Sequence, residues 1–94
     1  MNEKYAIKWS SRFKKDYKKM IRRGKVISKL DDVIRQLALG QPLPVSLRDH
    51  ALTGSFAGHR ECHLAPDWLL IYQICENVLV LELTRTGSHA DLLE

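Results

Sequence analysis

No stretch of this 94-residue chain approaches the roughly 20 consecutive apolar residues that a membrane-crossing helix requires, so no membrane association is expected. Met1 to Ser10 is polar and mixed, without the charged tip and apolar run of a secretory leader; the cytoplasm is the expected location. Cysteine is scarce: Cys62 and Cys75 both fall in strand-like segments and read as reduced thiols filling small apolar sites. Internal repeats and low-complexity tracts are absent, and a chain this short has no room for two cores, so one domain over residues 1–94 is expected. The glycine-bounded stretch from Gly54 to Gly58 lacks the Lys-Ser/Thr ending of a phosphate-cradling loop and reads as a flexible turn.

Acids are nearly missing from the first third. Residues 1–29 carry a net +9 and residues 30–94 a net −5, which together give the chain its +4. Much of the positive charge, Lys14, Lys15, Lys18, Lys19, Arg22 and Arg23, lies on one predicted helix. Such a stripe suits a polyanion partner, although a solvated helix face with no partner has the same composition.

What is present is an orderly succession of periodic segments. Tyr5 to Trp9 alternates and reads as a strand. Ser10 or Ser11 can then cap a helix carrying Phe13, Tyr17, Met20 and Ile21 at helical spacing, with Gly24 as its stop. A second helix runs from Val26 to Leu37, ends at Gly40, and should form an antiparallel hairpin with the first. From His50 onward the pattern is that of strands: His59 to Leu64, Trp68 to Cys75, and Val78 to Leu83, the last two joined by a short turn at Glu76-Asn77. The tail from Ser88 to Leu93 suits a terminal helical turn. The order predicts an α+β fold: a small antiparallel sheet with an N-terminal strand and a two-helix hairpin on one face, leaving the other face or its edge for a ligand.

All four histidines, His50, His59, His63 and His89, lie in the second half, as do Asp67 and Arg85. His50, Asp67, Arg85 and His89 are expected at strand ends and turns, where a rigid sheet presents a site. Cutting RNA without a metal needs a base for the ribose 2′-OH, an acid for the departing 5′ oxygen and cations for the phosphorane charge. Histidine suits the first two roles and arginine the third. A metal site is not expected: in an alternating strand His59 and His63 face one way and Cys62 the other, and no second Cys/His pair lies nearby. No cofactor is expected. His59 reads as a surface residue, and Trp68 and Tyr72 as core.

Three stretches together resemble the RelE/ParE superfamily of bacterial toxin–antitoxin toxins, and within it the YafQ-like branch of messenger-RNA interferases. They are Asp49-His50-Ala51-Leu52-Thr53-Gly54-Ser55, Arg60 to Tyr72 (Arg-Glu-Cys-His-Leu-Ala-Pro-Asp-Trp-Leu-Leu-Ile-Tyr), and Arg85-Thr86-Gly87-Ser88-His89. The resemblance covers essentially the whole chain and implies a RelE-like fold. It implies an active site of His50, His63, Asp67, Arg85 and His89: His89 as general acid, Asp67 as general base, Arg85 on the scissile phosphate, His50 and His63 positioning substrate or stabilising charge. The acid and base labels are open to exchange. It further implies action on mRNA in the decoding site of the 70S ribosome, with the basic stripe on ribosomal RNA phosphates. A cognate antitoxin is implied as well, with operator DNA bound only through the antitoxin complex. Where several relatives carry an aromatic residue near the C-terminus, this chain has Leu93, which cannot stack on a base. The alternative on the same fold is a ParE-like inhibitor that binds DNA gyrase and needs no acid–base pair.

Overall fold

The computed structural model describes residues 3–92. Strand β1 (Ala6–Trp9) leads into helices α1 (Ser11–Arg22) and α2 (Ile27–Ala38). Strands β2 (His50–Ala51), β3 (Arg60–Ala65), β4 (Trp68–Cys75) and β5 (Val80–Gly87) follow, and a short helix α3 (His89–Leu92) closes the described chain. No helix among these residues is long and apolar enough to cross a membrane.

Local chemistry sets the element ends much as the sequence suggests. The Ser10 side chain accepts a hydrogen bond from the Phe13 N–H at 3.0 Å and so satisfies an open donor of the first turn of α1. Gly24, at φ +74°, lets the chain leave α1 through the left-handed region that a side chain disfavours. The last hairpin differs from expectation. Its turn takes Glu76 to Leu79, with Leu79 at φ +52°, so Val78 and Leu79 fall outside the strand. The Leu79 carbonyl compensates by accepting the Ala6 N–H at 2.9 Å. Likewise β3 begins at Arg60 and leaves His59 in the preceding loop.

The five strands lie in the order β1-β5-β4-β3-β2. Pairings from β2 to β5 are antiparallel, but β1 joins β5 in parallel, so the sheet is mixed where an antiparallel one is expected. Parallel neighbours need a crossover, and here everything between Trp9 and Val80 supplies it. Because β1 is short, it pairs β5 only through Leu83. Beyond that point α1 covers the strand's open edge: Ser10 Oγ donates to the Thr84 carbonyl at 2.9 Å, and Asp16 accepts the Thr86 N–H at 3.2 Å.

One face of the sheet is buried under the helices. Phe13, Met20, Leu30, Val33, Ile34 and Leu37 pack on Cys62, Leu64, Trp68, Leu70, Tyr72, Leu81 and Leu83. Fully burying a large apolar side chain contributes roughly 1.5–3 kcal/mol, so this layer dominates the stability of the fold. Burial pushes the Cys62 thiol up to about 12, which makes it a packing group rather than a nucleophile. The other face carries a smaller apolar bar, Leu69 and Ile71 covered by Leu92, Leu52 and Phe56. Polar groups gather on both sides of that bar.

Candidate active site

Strand β2 is only two residues long, yet it holds His50 firmly. The preceding Asp49 is gripped by the Tyr72 hydroxyl at 2.6 Å and by Arg60 Nε at 3.2 Å. Arg48 sits at φ +50°, and its carbonyl accepts a hydrogen bond from His50 Nδ1 at 2.7 Å. A carbonyl can only accept, so Nδ1 carries a proton and Nε2 is the nitrogen turned toward Glu61, 3.5 Å from its Oε1.

Glu61 and His63 are two apart on β3 and share a face, whereas Cys62 and Leu64 point into the core. His63 Nε2 lies 3.9 Å from the same Glu61 oxygen. Burial holds His63 below the ordinary histidine range, and the nearby Arg48 charge depresses it further, against the pull of Glu61. Its buried Nδ1 has no hydrogen-bond partner among the described residues.

The third imidazole comes from the far end of the chain. The tight turn between β3 and β4 places Asp67 beneath α3, where one carboxylate oxygen accepts both the His89 backbone N–H at 2.9 Å and His89 Nδ1 at 2.7 Å. These two bonds hold the Asp67 carboxyl below the usual carboxylate range. They also leave His89 Nε2 as the nitrogen available to a substrate. The His63 ring stands 6.0 Å from that of His50 and 6.1 Å from that of His89, centre to centre. The structure thus brings together His50, His63, His89 and Asp67. It adds Glu61, whose period-2 relation to His63 was the sequence signal for it.

Arg85 stands apart from this group. It lies within β5 rather than beyond the last strand, opposite Ile71, which is in turn opposite Glu61. Two strand spacings, about 10 Å, separate β3 from β5. Asp16 on α1 takes Arg85 Nε at 2.7 Å and Nη2 at 3.3 Å, and both side chains are largely buried. Asp16 thus takes a bidentate grip on Arg85 and leaves Nη1 outside it. Sequence reasoning missed Asp16 because its partner is 69 residues away.

The basic stripe also divides. Lys14, Lys15, Lys18 and Arg22 are exposed. Lys19 and Arg23 instead bind Asp91 at 3.3 and 2.7 Å, and Arg23 holds the Asp91 carboxyl well below its ordinary range. Asp91 further accepts the Ser88 N–H at 2.9 Å, while its own N–H donates to Ser88 Oγ at 3.1 Å. A side chain at Gly87 would place its Cβ 2.9 Å from the Asp91 carboxylate, so a glycine is needed for this approach. Two of the six basic residues thus clamp α3, the helix that carries His89, to α1. Leu93 lies outside the described residues.

His50, Glu61 and His63 offer three ligand atoms within 4.8 Å of one another. Two imidazole nitrogens and a carboxylate oxygen suit a divalent transition metal. The sequence sets His63 beside His59 and Cys62 as the ligand spacing to weigh; the structure instead brings His50 on β2 to the face that His63 and Glu61 share.

A family model described as a bacterial toxin of type II toxin–antitoxin system, YafQ, matches residues 5–94. The mRNA interferase toxin YafQ of Escherichia coli strain K12 is 40% identical over 87 residues, covering 92% of each chain. The crystal structure of the E. coli DinJ–YafQ toxin–antitoxin complex contains a chain that superposes with a TM-score of 0.88 at 37% identity, over 97% of this chain and 99% of that one. A metal-bound toxin from Helicobacter pylori superposes with a TM-score of 0.88 at 42% identity, over 94% and 98% of the two chains.

Proposed function

The chain belongs to the YafQ family of bacterial type II toxin–antitoxin toxins, and on that premise we propose how it works as an mRNA interferase, an endoribonuclease that cuts through attack of the ribose 2′-OH. Two imidazole–carboxylate pairings facing one another carry this reading. His89, oriented by Asp67, is the general acid that protonates the departing 5′ oxygen through Nε2. His63, kept neutral by burial and by Arg48, is the general base, and Glu61 stabilises the imidazolium that forms. His50, its Nδ1 proton spent on the Arg48 carbonyl, positions the ribose and phosphate beside them. This changes one role that the family resemblance implies. Asp67 already accepts two hydrogen bonds and titrates low, so it is a poor base and a good orienting group.

A metal ion held by His50, Glu61 and His63 would supply Lewis-acid charge there, and it would compete with protons for the two Nε2 atoms. The ribosome supplies the rest of the substrate's placement, with Lys14, Lys15, Lys18 and Arg22 against ribosomal RNA phosphates. The cytoplasm is the place of action. A cognate antitoxin covers the site, and operator DNA is reached only in complex with it. A gyrase-binding role has no use for the paired imidazoles and carboxylates.

Expression in bacteria beside His89→Ala, with mapping of mRNA 5′ ends, tests the reading. New ends in register with codons are expected from the wild type, and at least about 10²-fold fewer from the variant. Growth arrest without new ends would overturn it.

A further inference from the structure

Strand β2 pairs with β3 only at Arg60 and Glu61, so from Cys62 onward β3 has no strand on that side. The short turn Val45–Leu47 flanks it there instead, and a cleft of about 400 Å³ opens between them. His63 belongs both to this cleft and to the histidine cluster. Lys29, Ser46, Leu47, Arg48 and Pro66 supply most of the remaining lining, and Leu47 packs on the main core, which fixes the apolar side. Among the described residues no carboxylate lines the cleft. The ion pairs of lysine and arginine engage Lys8, Lys19, Arg23, Arg35, Arg60 and Arg85, so Lys29 and Arg48 are left without a carboxylate partner among the described residues. The Arg48 charge reaches the His63 ring, whose proton affinity it lowers. Two open cations, one hydroxyl and an apolar side in a space of this volume match a single nucleotide, its base on the apolar surface and its phosphate on the cations. The chemistry says which nucleotide. The 2′-OH that His63 deprotonates belongs to the nucleotide on the 5′ side of the cut, so a space that begins at the His63 ring adjoins that nucleotide and not the one that departs with the proton of His89.

We propose that this cleft holds the mRNA nucleotide that carries the attacking 2′-OH, with its base against Leu47 and Pro66, its 5′ phosphate between Lys29 and Arg48, and Ser46 donating beside it. The assignment rests on the interferase reading and gives that reading a substrate subsite. Lys29 and Arg48 then touch the message itself, unlike the exposed stripe of α1.

Single uncharged methylphosphonate linkages, placed in turn at each position flanking the cut in an mRNA bound to ribosomes, test this with wild type and Lys29→Gln. Because Lys29 is exposed, the variant should melt as the wild type does. A neutral linkage on the 5′ side of the attacking nucleotide should lower wild-type kcat/KM about tenfold, and Lys29→Gln should lower it similarly on native mRNA. The two together should cost little more than either alone, whereas at the other linkages the losses should multiply. Arg35→Gln, also exposed on α2, should change nothing. Full activity of Lys29→Gln, or losses that multiply at the 5′ linkage too, would overturn the proposal. Coupling at a different linkage would place another nucleotide in the cleft, and a loss with Lys29→Gln that couples to no linkage would assign it to ribosomal RNA; both count against the proposal while the interferase reading stands. Failure of the wild type to cut native mRNA on the ribosome would sink that reading itself, and this inference with it.

Discussion

The apolar bar of Leu69, Ile71 and Leu92 divides two polar regions of opposite character. On the β3 side stand His50, His63 and His89, each facing a carboxylate and partly open to solvent. On the β5 side stand Arg85, Arg23 and Lys19, closed on Asp16 and Asp91 by ion pairs of 2.7 to 3.3 Å. The first region is arranged to move protons, and its buried His63 Nδ1 has no hydrogen-bond partner among the described residues. The second is arranged to stay as it is, and it fixes α3 and β5 against α1. A site of this kind needs both, because an imidazole transfers a proton usefully only if its place is fixed.

The largest effect should come from breaking the fixed side. Asp16→Ala leaves the Arg85 charge buried without its partner, a loss of about 3–5 kcal/mol in urea unfolding. An unchanged midpoint would mean that Arg85 reaches water and that the division is false. A smaller effect should follow on the titrating side. Asp67→Asn removes an exposed carboxylate, so the urea midpoint should stay close to that of the wild type while cleavage falls about tenfold through loss of His89 orientation. A fall as deep as that of His89→Ala would restore Asp67 as the base. The smallest effect concerns pH. His63 acts in its neutral form, and burial plus Arg48 depress its proton affinity, so cleavage should persist below the ordinary histidine range near 6.5 and fade as pH drops through the lowered value. Arg48→Gln removes one depressing charge and should move that acid limb to higher pH by less than about one unit. A limb that does not move would show that His63 is not the base.

The same division marks how far the sequence could be read. The strands, both helices, the Ser10 cap and the histidine-bearing segments were legible because each rests on a local period or a local hydrogen bond. Glu61 was within reach, since alternation places it beside His63. The fixed side was not legible. Asp16 reads as one acid in a basic helix until Arg85 arrives from 69 residues away, and Lys19 and Arg23 read as free until Asp91 is placed. The parallel seating of β1 was hidden for the same reason, because nothing in Ala6–Trp9 says which strand it will join. Leu79 was missed by a different route: a leucine at positive φ contradicts its propensity, and only the hydrogen bond from Ala6 to its carbonyl explains it.

The seating of β1 against β5 also bears on time. A chain emerges from its N-terminus, yet Ala6–Trp9 has no partner until Val80–Leu83 exists, and Asp16 none until Arg85 does. Contacts of such long sequence separation form late and slowly. The clamp on α3 waits for Asp91, and the Asp67–His89 pair for His89. A nascent copy thus has an unassembled site until translation has passed Asp91, so a chain still in the making cannot yet cut.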